Sequence, residues 1–349
     1  MSRLYANVTN MSNIESISIS TAHSASTATA QIVTANKSVN IGDSVSIDIG
    51  YTDNHAKVMQ GYVKNITRSV PNDTYNIIVK DDLIRATDYY VVPTDPDNAF
   101  TRKNIKAEDL VEDVLNLAGL TSYTFDATSF TFATKSGTEV VVKLTTAYDF
   151  CKMIADLLAW HLWADSSGQV HFENRKPWVM TGATGQPGDD TDETNTGVGS
   201  VAINYGNPLD NTKILNARYM ESDRDLRNRV VVHGGQGVFA EAKQATSWNP
   251  ITQTNQQILP TGFYKSMALV SQYIDNQSMA NKSVNYNLNL YNKLTVGAQV
   301  TAEGDPSFIA RSIMEIDQPE LSLSGNWYIL QAEHSWSKNG YIMELELRL

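Results

Sequence analysis

The sequence predicts a mainly β fold with an α+β insertion, in which one chain carries two related small β-barrel modules. Three observations support this prediction. Apolar and polar residues alternate through residues 1–95 and again near the C-terminus, which is the period of a half-buried strand. The clearest helical periodicity lies in the middle of the chain. A weak internal repeat relates the two ends.

Residues 1–95 are predicted to form the first β-barrel module. Short alternating segments are separated by turn residues at intervals of about ten residues, as in a small barrel or sandwich. The segments are 17–19, 28–32, 45–49, 59–67 and 75–79.

Residues 96–200 are predicted to form an α+β middle domain. Apolar residues at helical spacing predict a helix over 106–118, with Gly119 at its C-terminal cap position. Thr146, with Asp149 three residues later, has the pattern of a capping box and predicts the start of a second helix. Turn residues then predict a hairpin between 162–163 and 170–172.

Residues 201–349 are predicted to form the second β-barrel module, with a helical segment near 276–292. The segment 229–233 is predicted as a strand and 248–262 as a long polar loop. The final predicted strands are 296–301, 308–316, 327–333 and 341–349.

A weak repeat relates the two modules. Tyr62 and Tyr75 bracket a strand and a turn, and Tyr328 and Tyr341 bracket a similar pair; the two tyrosines lie 13 positions apart in both. Two explanations remain open, because any two β-hairpins share alternation and a turn. A true duplication would place two copies of one fold in each chain.

The composition excludes several classes of protein. The 349 residues carry a net charge of −11, which argues against a sequence-reading DNA-binding protein that needs a basic face. The hydrophobic share of 42% is too high for a disordered chain. The single cysteine excludes an intrachain disulfide framework, and its position on the apolar face of a predicted helix makes Cys151 a core thiol.

No catalytic, cofactor-binding or metal-binding motif is recognised. The glycines of 234–237 follow a predicted strand and are interpreted as turn residues. The acidic run 189–193 lacks the glycine and glutamate of an EF-hand, so a solvated loop within the aperiodic segment 181–200 is favoured over a calcium site. Residues 1–13 lack the apolar core of a secretion signal, and no apolar run is long enough to span a membrane.

Several segments together resemble one known family. Residues 42–51 and 58–63 have its first-barrel strand, loop and return; 144–172 has its helix, aromatic strand and hairpin; and 304–306 begins a segment like its second barrel. On these segments the chain resembles the phage tail baseplate hub proteins, which include late-control protein D and the N-terminal part of VgrG spikes. The segments 181–200 and 276–292 depart from the family pattern.

The resemblance implies a non-enzymatic structural protein without cofactors. Three copies would form a ring of six tail-tube-like modules that joins a hexameric tail tube to a trimeric central spike, with tape-measure and baseplate wedge proteins as further partners. Genomic DNA would pass through during ejection without specific binding. The implied location is the virion, at the tail tip or baseplate, after synthesis as a late protein and assembly in the host cytoplasm.

Two further expectations concern individual residues. Part of the negative charge is expected to face the lumen of the ring, and the candidates, at the lumen or the rim, are Asp189, Asp190, Asp192 and Glu193. The alternative function is a carbohydrate-binding adhesin-type β-protein that uses Trp248, Trp327 or Trp336 as sugar platforms. A glycosidase with two distant carboxylates is the weakest alternative.

Overall fold

The computed structural model describes residues 3–70, 73–92, 100–173, 209, 213–252, 254–316 and 325–349. The N-terminal region contains β1 (Leu4–Val8), β2 (Met11–Ala22), β3 (Thr29–Lys37), β4 (Ser44–Tyr51), β5 (Asn54–Ser69) and β6 (Thr74–Asp81). The middle region contains α1 (Ile84–Asp88), β7 (Tyr90–Val91), β8 (Phe100–Arg102), β9 (Ile105–Lys106), α2 (Ala107–Leu117), β10 (Tyr123–Phe125), β11 (Thr131–Phe132), β12 (Val140–Val142), β13 (Thr145–Thr146), α3 (Ala147–Leu158), β14 (His161–Ala164) and β15 (Val170–Glu173). The C-terminal region contains β16 (Ile214–Ser222), β17 (Arg229–Gly234), β18 (Phe239–Lys243), β19 (Ser247–Asn249), β20 (Thr254–Gln256), β21 (Ser266–Ser271), α4 (Gln277–Tyr291), β22 (Thr295–Glu303), β23 (Ile313–Ile316), β24 (Gly325–Ser337) and β25 (Gly340–Arg348).

One antiparallel sheet of eleven strands runs through both ends of the chain. Its order is β1-β4-β5-β6-β3-β2-β24-β25-β22-β16, and β23 pairs with the beginning of β24. The two halves are joined by β2 and β24, from Ser16 opposite Ser337 to Ala22 opposite Gln331. Strands from the N- and C-terminal regions of the sequence therefore share one hydrogen-bonded sheet.

Five strands of each half follow the same path. In the N-terminal half the spatial order is β4-β5-β6-β3-β2, and in the C-terminal half it is β23-β24-β25-β22-β16. The chain order of the five strands is also the same in both halves. The fold class predicted from the sequence is confirmed: the chain is mainly β and carries two related modules.

The first shared irregularity is a bulge in the hairpin that the repeat identifies. The pairing of β5 with β6 shifts register between Val63 and Asn65, and the pairing of β24 with β25 shifts between Ile329 and Gln331. These are the residues that the sequence repeat aligns with each other. Alternation does not require a bulge, which disrupts the ladder locally, so its recurrence favours duplication.

A second bulge recurs at another equivalent place. The pairing of β2 with β3 shifts between Ile14 and Ser16, and the pairing of β16 with β22 shifts between Ile214 and Asn216. These residues are equivalent when the two modules are matched strand by strand. Two unrelated β-folds would not be expected to share strand order and both irregularities.

The structure corrects the sequence alignment on the second strand of each hairpin. Val63 lies opposite Val79, and its equivalent Ile329 lies opposite Leu347, whereas the repeat of tyrosines would match Val79 with Leu345. The C-terminal hairpin extends further toward its turn, so the match moves by two residues. A shift of two keeps every side chain on the same face, and the alternating pattern therefore could not reveal it.

Three apolar cores divide the chain differently from its linear sequence. One fills the N-terminal module, one fills the C-terminal module, and the largest fills the middle region. Part of the predicted domain 201–349 belongs to the middle core: Val230 and Val232 of β17 pack there with Ala280 and Val284 of α4. Alternation identifies a strand but does not say which layer covers it.

Local signals account for the helices of the middle region. Thr146 accepts a hydrogen bond from the Asp149 backbone N at 3.0 Å and caps α3, and Gly119 has a φ of +73° just after α2. Cys151 is fully buried on α3, and burial raises the pKa of its thiol. Both observations agree with the sequence predictions.

Helix α4 lies in the segment where the sequence predicts a helix, and its polar residues have a structural use. Ser283 Oγ donates to the carbonyl of Leu157 at 2.8 Å, and Asn287 Nδ2 donates to the carbonyl of Asp156 at 3.2 Å. Both carbonyls lie in the last turn of α3, where the helical ladder ends, and the Asp156 carbonyl also accepts from the backbone N of Ala159 at 3.2 Å. The buried polar side chains therefore cap α3 from outside.

Two local predictions are wrong in part. The predicted strand 308–316 is a strand only over Ile313–Ile316, and the predicted loop 248–262 contains the hairpin of β19 and β20.

Within the described ranges, no helix has both the length and the apolar character needed to cross a bilayer.

Candidate functional site

The candidate functional surface is the side of the eleven-stranded sheet that faces away from the module cores. In β2, Ile17 and Ile19 are buried in the core, whereas Ser18 on the opposite face is exposed. The same alternation continues into β3 and β24, where Gln31 and Ser335 lie directly opposite Ser18. The junction between the modules therefore presents small, uncharged polar groups to solvent. We call this side the polar face.

The polar face becomes acidic over the C-terminal module. Glu333 of β24 lies directly opposite Glu344 of β25, and Glu346 lies opposite Gln331. Like charges directly opposite each other destabilise a sheet, so packing gives no reason for this pair. The three carboxylates line an open groove of about 430 Å³ whose lining also includes Arg218.

Several strand edges of the sheet have no strand partner among the described residues, including the outer edges of β1 and β23, and we call two others the two open edges. One is the outer edge of β16, which is the last strand in the sheet order. The other belongs to the second half of β5: β4 pairs with β5 only from Asn54 to Tyr62, and residues 65–69 pair with β6 alone. Val70, which follows β5 directly, is 80% exposed. Such open edges favour pairing with another chain.

The junction between the modules is anchored by aromatic residues of the C-terminal hairpin. Trp336 and Tyr341 are buried in the core of the N-terminal module, although they belong to β24 and β25. His334 is buried beside them; its Nε2 donates to the carbonyl of Phe308 at 2.9 Å, and its Nδ1 accepts from the Tyr341 hydroxyl at 2.7 Å. Burial lowers the pKa of His334 to about 4, so the ring is neutral at pH 7.

A second set of contacts ties the junction to the middle region. Arg311 Nη2 donates to the carbonyl of Ala22 at 2.7 Å, and its guanidinium lies 5.1 Å from the ring centroid of Trp163. Asp81, at the end of β6, accepts from the backbone N of Ala28 at 2.6 Å and of Leu83 at 3.1 Å. Burial raises the pKa of Asp81 to about 7. Arg311 therefore links the junction to the middle region, and Asp81 fixes the end of β6 where the chain enters that region.

The residues singled out in the sequence have different outcomes. Asp189, Asp190, Asp192 and Glu193 lie outside the described residues. The proposed sugar platforms are wrong for two of three positions, because Trp327 is 0% and Trp336 is 6% exposed. Trp248 is half-buried at the start of a small hairpin. A platform for a sugar needs an exposed ring face, so the adhesin alternative loses its main support.

Comparison with proteins of known structure identifies the fold. A tail protein from Neisseria meningitidis has a TM-score of 0.64 at 11% identity, over 99% of this chain and 97% of that one. The 43 kDa tail protein of prophage MuSo2 from Shewanella oneidensis has a TM-score of 0.61 at 13% identity, over 99% and 97%. The chain has the fold of phage tail proteins.

A related fold occurs in a secretion apparatus. A type VI secretion component from Escherichia coli, described as structurally similar to bacteriophage T4 tail proteins, has a TM-score of 0.56 at 8% identity, over 98% of this chain and 76% of that one. A family model described as YQBQ-like matches residues 206–348. No curated protein matches the sequence. The phage tail fold is thus shared across nearly the whole chain at very low sequence identity.

The polar face and the two open edges were not found from the sequence. The alternation of β24 and β25 did carry a signal, since Glu333, Glu344 and Glu346 all occupy outward positions of predicted strands. Their convergence depends on which strands pair, and an alternating pattern does not contain that information.

Proposed function

We propose that this chain is the structural baseplate hub of a phage tail, a trimeric symmetry adaptor that joins the hexameric tail tube to the trimeric central spike. The observation that carries the proposal is the duplicated module, with one strand order and two recurring bulges. Three copies then present six similar modules. A threefold object can meet a sixfold one only by repeating its docking unit within each chain.

The comparisons support this role at the level of fold. The two tail proteins match over almost their full lengths, and the secretion component extends the likeness to a type VI secretion system. A VgrG complex from Francisella contains a chain with a TM-score of 0.56 to this one at 9% identity, of which 58% is covered. A shared module fits a shared task of mounting a spike on a tube.

The polar face is proposed as the wall of the DNA conduit. Its serine and glutamine side chains at the junction offer no positive charge, and the carboxylates of Glu333, Glu344 and Glu346 repel phosphates. A basic lining would retain DNA by releasing its counterions. The four acidic residues of the segment 189–193 remain candidates for the lumen or the rim.

The proposed partners follow from the adaptor role. They are two further copies of this chain, the tail tube protein and the central spike protein, with the tape-measure and baseplate wedge proteins as neighbours in the particle. Genomic DNA passes through without specific binding. The protein is non-enzymatic and belongs to the virion, at the tail tip or baseplate, after assembly in the host cytoplasm.

The symmetry of the purified protein tests this function. Mass measurement in solution should give three times the chain mass of 38.6 kDa, and electron microscopy should show rings with a threefold axis and six similar lobes. A dimer, a tetramer or a ring whose lobes alternate between two unrelated shapes would overturn the proposal.

A further inference from the structure

The pairing of β2 with β24 inside one chain shows which strand edges of the two modules fit together and in which register. Each module contributes a different edge to this junction: the N-terminal module uses the outer edge of β2, and the C-terminal module uses the free half of β24. The modules are related by duplication, so each of these edges has an equivalent in the other module. The equivalent edges are the two open ones.

A row of residues across each module fixes the equivalence. In the N-terminal module the row runs through Val63, Val79, Ala30 and Ile19, each opposite the next. In the C-terminal module the matching row runs through Ile329, Leu347, Ala298 and Tyr219. The outer edge of β16 at Tyr219 therefore corresponds to the outer edge of β2 at Ile19.

The second open edge corresponds to the part of β24 that β2 covers. β24 is paired along its first residues by β23 and from Gln331 to Ser337 by β2. β5 is paired along its first residues by β4, and no described strand occupies the equivalent stretch of residues 65–69. Among the described residues, no strand lies beside the second half of β5 in the place that β2 occupies beside β24.

We propose that β16 of one copy pairs antiparallel with the second half of β5 of another copy, in the register that the internal junction defines. Ile19 lies opposite His334, so Tyr219 lies opposite Arg68 of the other copy. The same register sets Met220 opposite Thr67 and Ser222 opposite Asn65. This inference rests on the proposed function and specifies how its ring closes.

The faces of the two strands agree with this register. Ala217 and Tyr219 pack against the C-terminal core, while Ile66 packs against the N-terminal core. In the proposed pairing Tyr219 and Arg68 both lie on the core side, and Met220 and Thr67 both lie on the polar face. A register shifted by one residue would put core-side groups opposite polar-face groups.

Exposed and charged side chains support the same contact. Val70 is the equivalent of Trp336, which is buried in the adjoining module, yet Val70 is 80% exposed in the single chain. The proposed register brings Val70 opposite Ala217 at the edge of the C-terminal core. Arg68 becomes the diagonal neighbour of Glu221, within reach of long side chains of opposite charge.

A second copy of this chain is the occupant that the geometry favours. One chain carries both halves of the contact on different strands, so the interface is head-to-tail and makes a ring if three such contacts complete a full turn. Repetition of that junction makes the module-to-module contacts within and between chains alike. The ring would then also cover both exposed edges, which would otherwise invite aggregation.

Cysteine crosslinking tests the register directly. His23 lies opposite Leu330, and its backbone N donates to the Leu330 carbonyl at 2.7 Å, so these two residues form a hydrogen-bonded pair of the antiparallel ladder. Hydrogen-bonded and non-hydrogen-bonded pairs alternate along the ladder, which makes Ser20 and Glu333, three residues further along, a non-hydrogen-bonded pair. Their equivalents, Met220 and Thr67, are then expected with Cα atoms about 4.5 Å apart, which a disulfide can bridge. The variant Thr67→Cys/Met220→Cys should form covalent dimers and trimers on oxidation. The matched control Thr67→Cys/Leu215→Cys keeps Arg68 and moves the second cysteine five residues along β16, about 16 Å away, so it should stay monomeric on a denaturing gel; Cys151 is buried in both.

Charge reversal provides an independent measurement. Arg68→Glu and Glu221→Arg should each weaken association by about tenfold or more, because like charges then face each other across every contact of the ring. The double variant Arg68→Glu/Glu221→Arg should restore association to near the original value. Circular dichroism of the dissociated variants checks that the modules remain folded, since both positions lie at exposed strand edges.

The outcomes separate this inference from the proposed function. A trimer that crosslinks equally in the test and control variants, or not at all, overturns the edge pairing and leaves the hub role standing. Specific crosslinks in a ring of other than three copies uphold the pairing and overturn the threefold role. A monomer that forms no crosslink at micromolar concentration overturns both.

Discussion

Removal of the Trp336 side chain should open the junction between the two modules. Trp336 lies on β24 in the C-terminal module but is 6% exposed within the apolar core of the N-terminal module. Truncation of a buried tryptophan to alanine costs about 3–5 kcal/mol. Because β2 is held by β24 on one side and by β3 on the other, we expect the loss to fall mainly on the pairing of β2 with β24.

The matched control keeps an aromatic ring at the same place. Trp336 Nε1 is buried without a hydrogen-bond partner among the described residues. Trp336→Phe therefore removes an unsatisfied donor while it retains much of the apolar contact, and we expect a change of less than about 1.5 kcal/mol. The contrast between Ala and Phe distinguishes apolar burial from a polar role of the indole.

Amide hydrogen exchange under native conditions is the appropriate assay because it reports the opening of individual strands. In Trp336→Ala, the amides of β2 and the end of β24 should exchange about 10² to 10⁴ times faster, which is the factor that about 3–5 kcal/mol implies. The amides of α3 in the middle core should be little changed. Unaltered exchange in β2 would refute the claim that this tryptophan holds the modules together.

Further variants test three other parts of the structure. The pKa of His334 is lowered to about 4 in the fold, so the unfolded chain binds more protons between about pH 4 and 6.5, and the stability that His334 contributes should be lost as pH falls through that window. The difference in unfolding free energy between wild type and His334→Gln should therefore shrink by up to about 1.4 kcal/mol per pH unit on acidification; a difference that is independent of pH would contradict the buried neutral ring. Glu344→Gln should stabilise the sheet by about 0.2–1 kcal/mol in denaturant titrations, because it relieves the repulsion from Glu333. Glu333→Lys/Glu344→Lys should add salt-sensitive retention of DNA in a gel-shift assay. Equal DNA binding by the wild type would argue against a repulsive wall. Thr146→Ala should cost about 1 kcal/mol in thermal or chemical unfolding through loss of the α3 cap, with Thr145→Ala as the neighbouring control; equal effects would exclude capping as the cause.

The duplicated module gives the proposed adaptor a simple physical basis. The internal junction between β2 and β24 is a complete interface, with a defined register and a buried aromatic anchor. The proposed contact between copies reuses its geometry with Val70 and Arg68 in place of Trp336 and His334. The smaller and more polar anchor suits a contact that forms only when copies associate.

Local chemistry made several elements predictable from the sequence. Thr146 and Gly119 mark helix ends because the groups they satisfy lie within one turn of the same helix. Alternation identified most strands of both modules, since each side chain reports only which face of its own strand is buried, but β1 and β16 were missed. The two related hairpins were also visible in sequence, as a repeat of modest strength.

Only the tertiary structure decided which strands are neighbours. The sequence does not indicate that Trp336 completes the core of the other module, that Val230 and α4 belong to the middle core, or that the hairpin repeat is offset by two residues on its second strand. Each of these depends on contacts between residues far apart in the chain, and a shift of two residues leaves the alternating pattern unchanged. The acidic pair of Glu333 and Glu344 and the two open edges likewise exist only once the sheet is assembled.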